Sequence, residues 1–119
     1  MQQYRQLQVW QRSHALVLRT YELTKSFPSD ERFGLISQLR RAAVSVPTNI
    51  AEGSKRRTNQ DYARFLNMSE SSLAETDYLF FLSLDLGYVA PDVAEAMISE
   101  IDEISRMLYR LRQKVERGL

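Results

Sequence analysis

Apolar residues recur at three- and four-residue spacing in four successive stretches of this 119-residue chain, and nowhere do they alternate with a period of two for long enough to build a sheet. A pattern of this kind leaves helices packed on helices as the fold. The first stretch puts Leu7, Trp10, His14, Val17, Tyr21 and Thr24 on one face and predicts a helix over residues 4–25. Phe27-Pro28-Ser29-Asp30 then breaks it, because the residue before a proline is pushed out of the helical region. The second stretch, residues 31–55, carries Ile36, Leu39, Ala43, Val46 and Ile50. A third helix is expected to start at Thr58, whose hydroxyl can cap the exposed amides while Asp61 sits in the positively polarised first turn. Its stripe reads Phe65, Met68, Ser72, Glu75, Leu79, Leu82 and Leu86, and Gly87 suits the left-handed terminating conformation. Pro91 fits the first turn of a fourth helix with Ala94, Met97, Ile101, Ile104, Leu108, Leu111 and Val115 on one face. In that helix acidic residues precede basic ones, which complements the helix dipole. With short connections and no linker or repeat, residues 1–119 are expected to form one domain, an all-α, antiparallel up-and-down four-helix bundle.

The second stretch has Pro47 in its middle. Proline removes one backbone hydrogen bond and clashes with the carbonyl four residues back, costing about 3 kcal/mol in a regular helix, so a bend is expected there. Ala42, Ala43, Ser45, Ala51 and Gly53 are small enough to let another backbone come close. Leu35, Ile36, Leu39, Ala43, Val44, Val46, Pro47, Ile50 and Ala51 cover about half the helix circumference, more than the roughly 100° stripe that one core face needs. Helix three is apolar nearly all round at Tyr78, Leu79, Phe80, Phe81, Leu82, Leu84 and Leu86. A second protein surface is expected to cover these faces, and another copy of the same chain is the simplest source.

Charge is segregated beneath a net charge of only +1. Residues 1–57 hold ten basic and four acidic side chains, residues 58–105 one and ten, and residues 106–119 five and one. This distribution suits either attraction of a polyanion to one face or pairing of complementary subunit surfaces. The absence of cysteine excludes disulfides, thiol catalysis and cysteine-based zinc sites, and agrees with a cytoplasmic location. The most apolar run, Tyr-Leu-Phe-Phe-Leu-Ser-Leu at 78–84, is far short of the roughly 20 residues that cross a bilayer, so no membrane association is expected.

Catalytic chemistry is sparse. The only histidine, His14, lies in the apolar stripe of helix one, where a hydrogen-bonded packing role is expected. There is no glycine-rich phosphate loop, no metal-ligand spacing and no cofactor motif, so the expectation is no enzyme, no metal and no cofactor. The strongest constellation is basic: Arg40, Arg41, Lys55, Arg56 and Arg57. Lys55, Arg56 and Arg57, in the connection before helix three, are candidates for sequence-independent phosphate contact, with Arg41 beside them. Arg40, Arg41, Glu52 and Glu75 are candidates for structural ion pairs; Glu75 in particular falls within the stripe of helix three and is expected to be buried against Arg40 or Arg41. Two functional classes follow, an RNA- or DNA-associated accessory protein and a protein-binding scaffold with no affinity for nucleic acid.

Phe-Pro at 27–28, GLISQLRRAAVSVPTNIAEGSKR at 34–56, FLNMSESSLAE at 65–75 and LGY at 86–88 also resemble the four-helix bundle proteins associated with 23S rRNA intervening sequences, a fold family that includes the accessory protein of diversity-generating retroelements. The resemblance spans most of the chain. It implies a small cytoplasmic bacterial protein that assembles into a ring, a homopentamer, with no enzymatic activity assigned.

Overall fold

The computed structural model describes residues 3–118, and capping chemistry explains where its helices begin and end. A 3₁₀ turn, Gln3–Gln6, leads into α1, Gln8–Thr24, so the first helix is regular only from Gln8. A second 3₁₀ turn, Ser29–Glu31, precedes α2, Leu35–Gly53, which starts later than residue 31. The reason is Glu31: one carboxylate oxygen accepts the Leu35 N–H at 3.0 Å and the other accepts the Tyr88 hydroxyl at 3.0 Å, so this residue caps the helix instead of joining it. α3, Asn59–Asp85, opens on Thr58, whose Oγ1 accepts the Asp61 N–H at 3.1 Å. It closes with Gly87 at φ +79°, the Tyr88 N–H reaching Ser83 O at 2.9 Å and the Gly87 N–H reaching Leu84 O at 3.0 Å, a Schellman cap. α4, Pro91–Glu116, starts on its proline.

α1 packs on α2, α2 on α3, α3 on α4 and α4 back on α1, an up-and-down bundle about 45 Å long. Leu16, Leu39, Val46, Ile50, Leu66, Leu73, Phe80, Ile104 and Leu108 fill its centre. α2 runs continuously through Pro47, which is buried. Neighbouring polar side chains serve carbonyls of this stretch: Thr48 Oγ1 donates to Val44 O at 2.7 Å, and the Asn49 amide to Ser45 O at 2.9 Å. The small residues do permit close approach. A Cβ on Gly53 would stand 2.7 Å from Phe65 Cβ and 2.9 Å from Tyr62 Cδ1, so only glycine lets the end of α2 meet the start of α3.

Two helices present a different face from the one their apolar stripes predict. In α3 Phe65 and Leu79 of the expected stripe are buried, but Met68, Glu75 and Leu86 are exposed, and the inward face is centred one residue further on, at Leu66, Ser69, Leu73, Thr76, Phe80 and Ser83. In α1 it is Val9, Ser13, Leu16, Thr20 and Thr24, leaving His14 and Tyr21 exposed and Trp10 and Val17 half-buried. Hydroxyls make this possible by meeting their hydrogen-bond demand locally: Ser13, Thr20, Thr24, Thr76 and Ser83 each donate to the carbonyl four residues back at 2.7–2.8 Å, and Ser69 donates across to Val46 O at 2.7 Å. His14 accordingly has no core role; its ring stacks on Trp10, centroids 5.1 Å apart and planes 6° from parallel.

The phase shift also overturns the expected pairing of Glu75. Glu75 is exposed and accepts a hydrogen bond from the Gln38 amide at 3.3 Å. Arg40 is fixed by neutral partners, its Nε donating to Thr24 Oγ1 at 2.8 Å and its guanidinium lying 4.5 Å over the Tyr21 ring. Arg41 and Glu52 are exposed on α2 and form no structural pair with one another or with Glu75. The interhelical ion pairs come from residues that the stripes did not single out. Arg12 on α1 grips Glu100 on α4 at 2.6 and 2.9 Å, and Arg112 on α4 reaches Glu70 on α3. Glu100 holds the Arg12 guanidinium above its ordinary range, and Glu70 does the same for Arg112.

Candidate nucleic-acid interface

The turn from α2 to α3 is short because Gly53 brings the two helices together, and it therefore projects consecutive cations from the end of the bundle. Lys55, Arg56 and Arg57 line an open cleft of about 710 Å³ together with Thr58, Gln60, Asp61 and Arg64. Four of these seven side chains are cationic and one is anionic.

The cleft is organised around Phe65 and Asp61. The guanidinium of Arg56 lies 4.4 Å from the centroid of the buried Phe65 ring, and that of Arg64 lies 4.8 Å from it. Asp61 accepts hydrogen bonds from Arg64 at 2.8–2.9 Å and sits 3.7 Å from Arg56 Nε. The aromatic face and the carboxylate hold two flexible arginines in place, leaving some N–H donors of each fork for a second anion. Thr58 and Gln60 supply neutral polar groups at the helix N-terminus, where the dipole favours negative charge.

The structure thus brings Lys55, Arg56 and Arg57 together and leaves Arg41 about 20 Å away along α2. It adds Arg64, which sequence reasoning missed; the signal was its position three residues after Asp61 and six after the capping Thr58. Up-and-down topology concentrates further positive charge at this end, because the start of α1 with Arg5 and Arg12 and the end of α4 with Arg110, Lys114 and Arg117 lie there too. Carboxylates gather elsewhere. Glu70, Asp77, Glu95 and Asp102 line a groove of about 440 Å³ between α3 and α4. Burial, assisted by Asp102, pushes the Asp77 carboxyl above the usual aspartate value. Among the described residues no helix is long and apolar enough to cross a membrane, and no cluster of three or more His, Asp or Glu could hold a metal ion.

A four-helix bundle with its most marked chemistry in an open cationic cleft at one end defines the class of protein. The family is equally plain: the model of the 23S rRNA-intervening sequence protein family matches residues 5–110, and the chain belongs to that family. The fold is similar to the crystal structure of a Bacteroides thetaiotaomicron VPI-5482 protein of unknown function from the S23 ribosomal protein family, with a TM-score of 0.82 at 23% identity over 88% of this chain and 95% of that one. A search of curated proteins finds no match.

Proposed function

We propose that the protein is a non-enzymatic, cytoplasmic, ring-forming homo-oligomer, a pentamer, that associates with RNA or DNA as an accessory factor. The observation that carries the nucleic-acid reading is the open cleft lined by Lys55, Arg56, Arg57 and Arg64, in which Asp61 holds Arg56 and Arg64. Cations held in this way attract phosphate without reading base edges, so affinity should fall steeply with salt and depend little on sequence. A ring repeats the cleft once per subunit, turning weak contacts into a multivalent basic rim. The non-enzymatic reading rests on the surroundings of the reactive groups: His14 is stacked on Trp10, and Asp61 is committed to two arginines.

Filter binding or mobility shift of RNA and DNA at two salt concentrations tests the proposal. Retention at low salt that disappears at high salt is expected, and substitution of Lys55, Arg56 and Arg57 together by Glu should abolish it while leaving the oligomer intact. A second reading, a protein-binding scaffold, is favoured by the exposed Leu18, Phe33, Tyr78 and Phe81. It takes over if the wild-type protein retains no nucleic acid at low salt.

A further inference from the structure

Phe33 is 90% exposed, on the segment between the second 3₁₀ turn and α2. An exposed phenylalanine ordinarily belongs to a mobile loop, but here the backbone on both sides is tied down. The Arg32 N–H bonds to Ser29 O at 3.1 Å and the Gly34 N–H to Glu31 O at 3.1 Å, while the Glu31 carboxylate is fixed between Leu35 and Tyr88. The Arg32 guanidinium sits 5.8 Å from the Phe33 ring. The result is a rigid aromatic knob flanked by a cation, the kind of preorganised anchor that loses little freedom on docking.

The same chain carries a groove of matching chemistry. Trp10, His14 and Val17 on α1 and Val44, Pro47 and Ala51 on α2 line an open apolar hollow of about 430 Å³, whose rim includes the exposed carboxylate of Glu52. One wall is an aromatic stack, Tyr4 edge-on to Trp10 and Trp10 face-on to His14. Pro47 contributes here as well, since a residue without an N–H presents an apolar surface at the floor. Knob and groove do not meet within one molecule: Phe33 is 90% exposed, and the nearest groove residue on α2, Val44, lies about 14 Å from the start of the helix along its axis.

We infer that Phe33 of one copy inserts into the α1–α2 groove of the next, with Arg32 paired to Glu52 across the rim. This inference rests on the assembly reading above and names its contact. Charge complementarity argues for a second copy as the occupant: the knob brings its own cation to a groove whose rim supplies a carboxylate, and neither Arg32 nor Glu52 has an ion-pair partner among the described residues. Because two different surfaces mate, the contact is heterologous and generates a ring or an open chain, not a two-fold dimer.

Multi-angle light scattering at micromolar concentration, with far-UV circular dichroism to verify folding, tests it on the full chain. Phe33→Ser removes the knob and Thr48→Trp fills the groove; each is expected to be a folded monomer. An equimolar mixture retains one working knob and one open groove, so it should form a one-to-one pair at twice the 13.9 kDa chain mass. Arg32→Glu and Glu52→Arg should each weaken assembly by at least tenfold and restore it when combined in one chain, a test that stands even if Thr48→Trp fails to fold. Wild-type assembly by Phe33→Ser, or a charge-swapped double variant no better than its parents, overturns the inference and leaves the assembly reading standing. A monomeric wild-type protein overturns both.

Discussion

Asp77 is half-buried in the groove between α3 and α4, with Asp102 facing it and Glu70 and Glu95 lining the same wall. Burial first and Asp102 second raise its pKa, so the folded chain holds this proton more tightly than the unfolded chain. Stability from this group therefore falls as pH rises through the window between the ordinary value of 3.8 and the raised one, and its cost is complete at neutral pH. Asp77→Asn is expected to raise the melting midpoint at pH 7, with the gain disappearing below pH 3.8; melts at pH 7 and pH 3 decide it. Gly53 makes the opposite argument, from space. Replacing a helical glycine by alanine ordinarily stabilises by about 0.5–1 kcal/mol, but here the new methyl would stand 2.7 Å from Phe65 Cβ. The clash decides the sign, and Gly53→Ala is expected to destabilise by about 1–3 kcal/mol in urea unfolding.

α3 is the element in which phase matters most. Its expected stripe and its buried face share Phe65 and Leu79, but the buried face is turned toward Leu66, Ser69, Leu73, Thr76, Phe80 and Ser83, which leaves Met68 and Glu75 outside. Two substitutions separate them. Glu75→Gln, on the exposed face, is expected to leave the midpoint unchanged, whereas Ser69→Ala, which deletes the buried bond to Val46 O at 2.7 Å, should cost about 1 kcal/mol. Equal destabilisation by the two variants would put Glu75 back in the interior. α4 shows the contrasting case. Its expected stripe is buried from Ala94 to Val115, with only Leu111 half-exposed, because aliphatic residues alone occupy that face and no hydroxyl disguises it.

For the whole molecule, antiparallel connection sorts the charges into a basic end and an acidic flank. The cleft should then reveal itself through ion release. Neutralising Arg57 or Arg64 by Gln is expected to lower the slope of log affinity against log salt by about 0.7–0.9 for each phosphate that is no longer neutralised, while Arg41→Gln, outside the cleft, should leave the slope unchanged. Equal slopes for all three variants, measured by salt titration of binding, would remove the cleft from the interface.

Local rules determined the elements. Thr58, Gly87 and Pro91 mark helix ends through hydrogen-bond and backbone preferences that act over a few residues, and the four periodic stretches fix the bundle. The basic triplet at residues 55–57 was also visible, since consecutive cations in a turn between helices have little choice but to face solvent. Tertiary structure alone decided the rest. Which face of α1 and α3 turns inward depends on serine and threonine hydroxyls bonding to carbonyls, and such residues look polar until their partners are in place. The i,i+3 spacing of Arg64 from Asp61 is local, but its convergence with Arg56 over the Phe65 ring requires the folded α2–α3 turn. The aromatic groove exists because Trp10 and His14, displaced from the core by Ser13 and Leu16, stand opposite Pro47 when α2 packs back on α1.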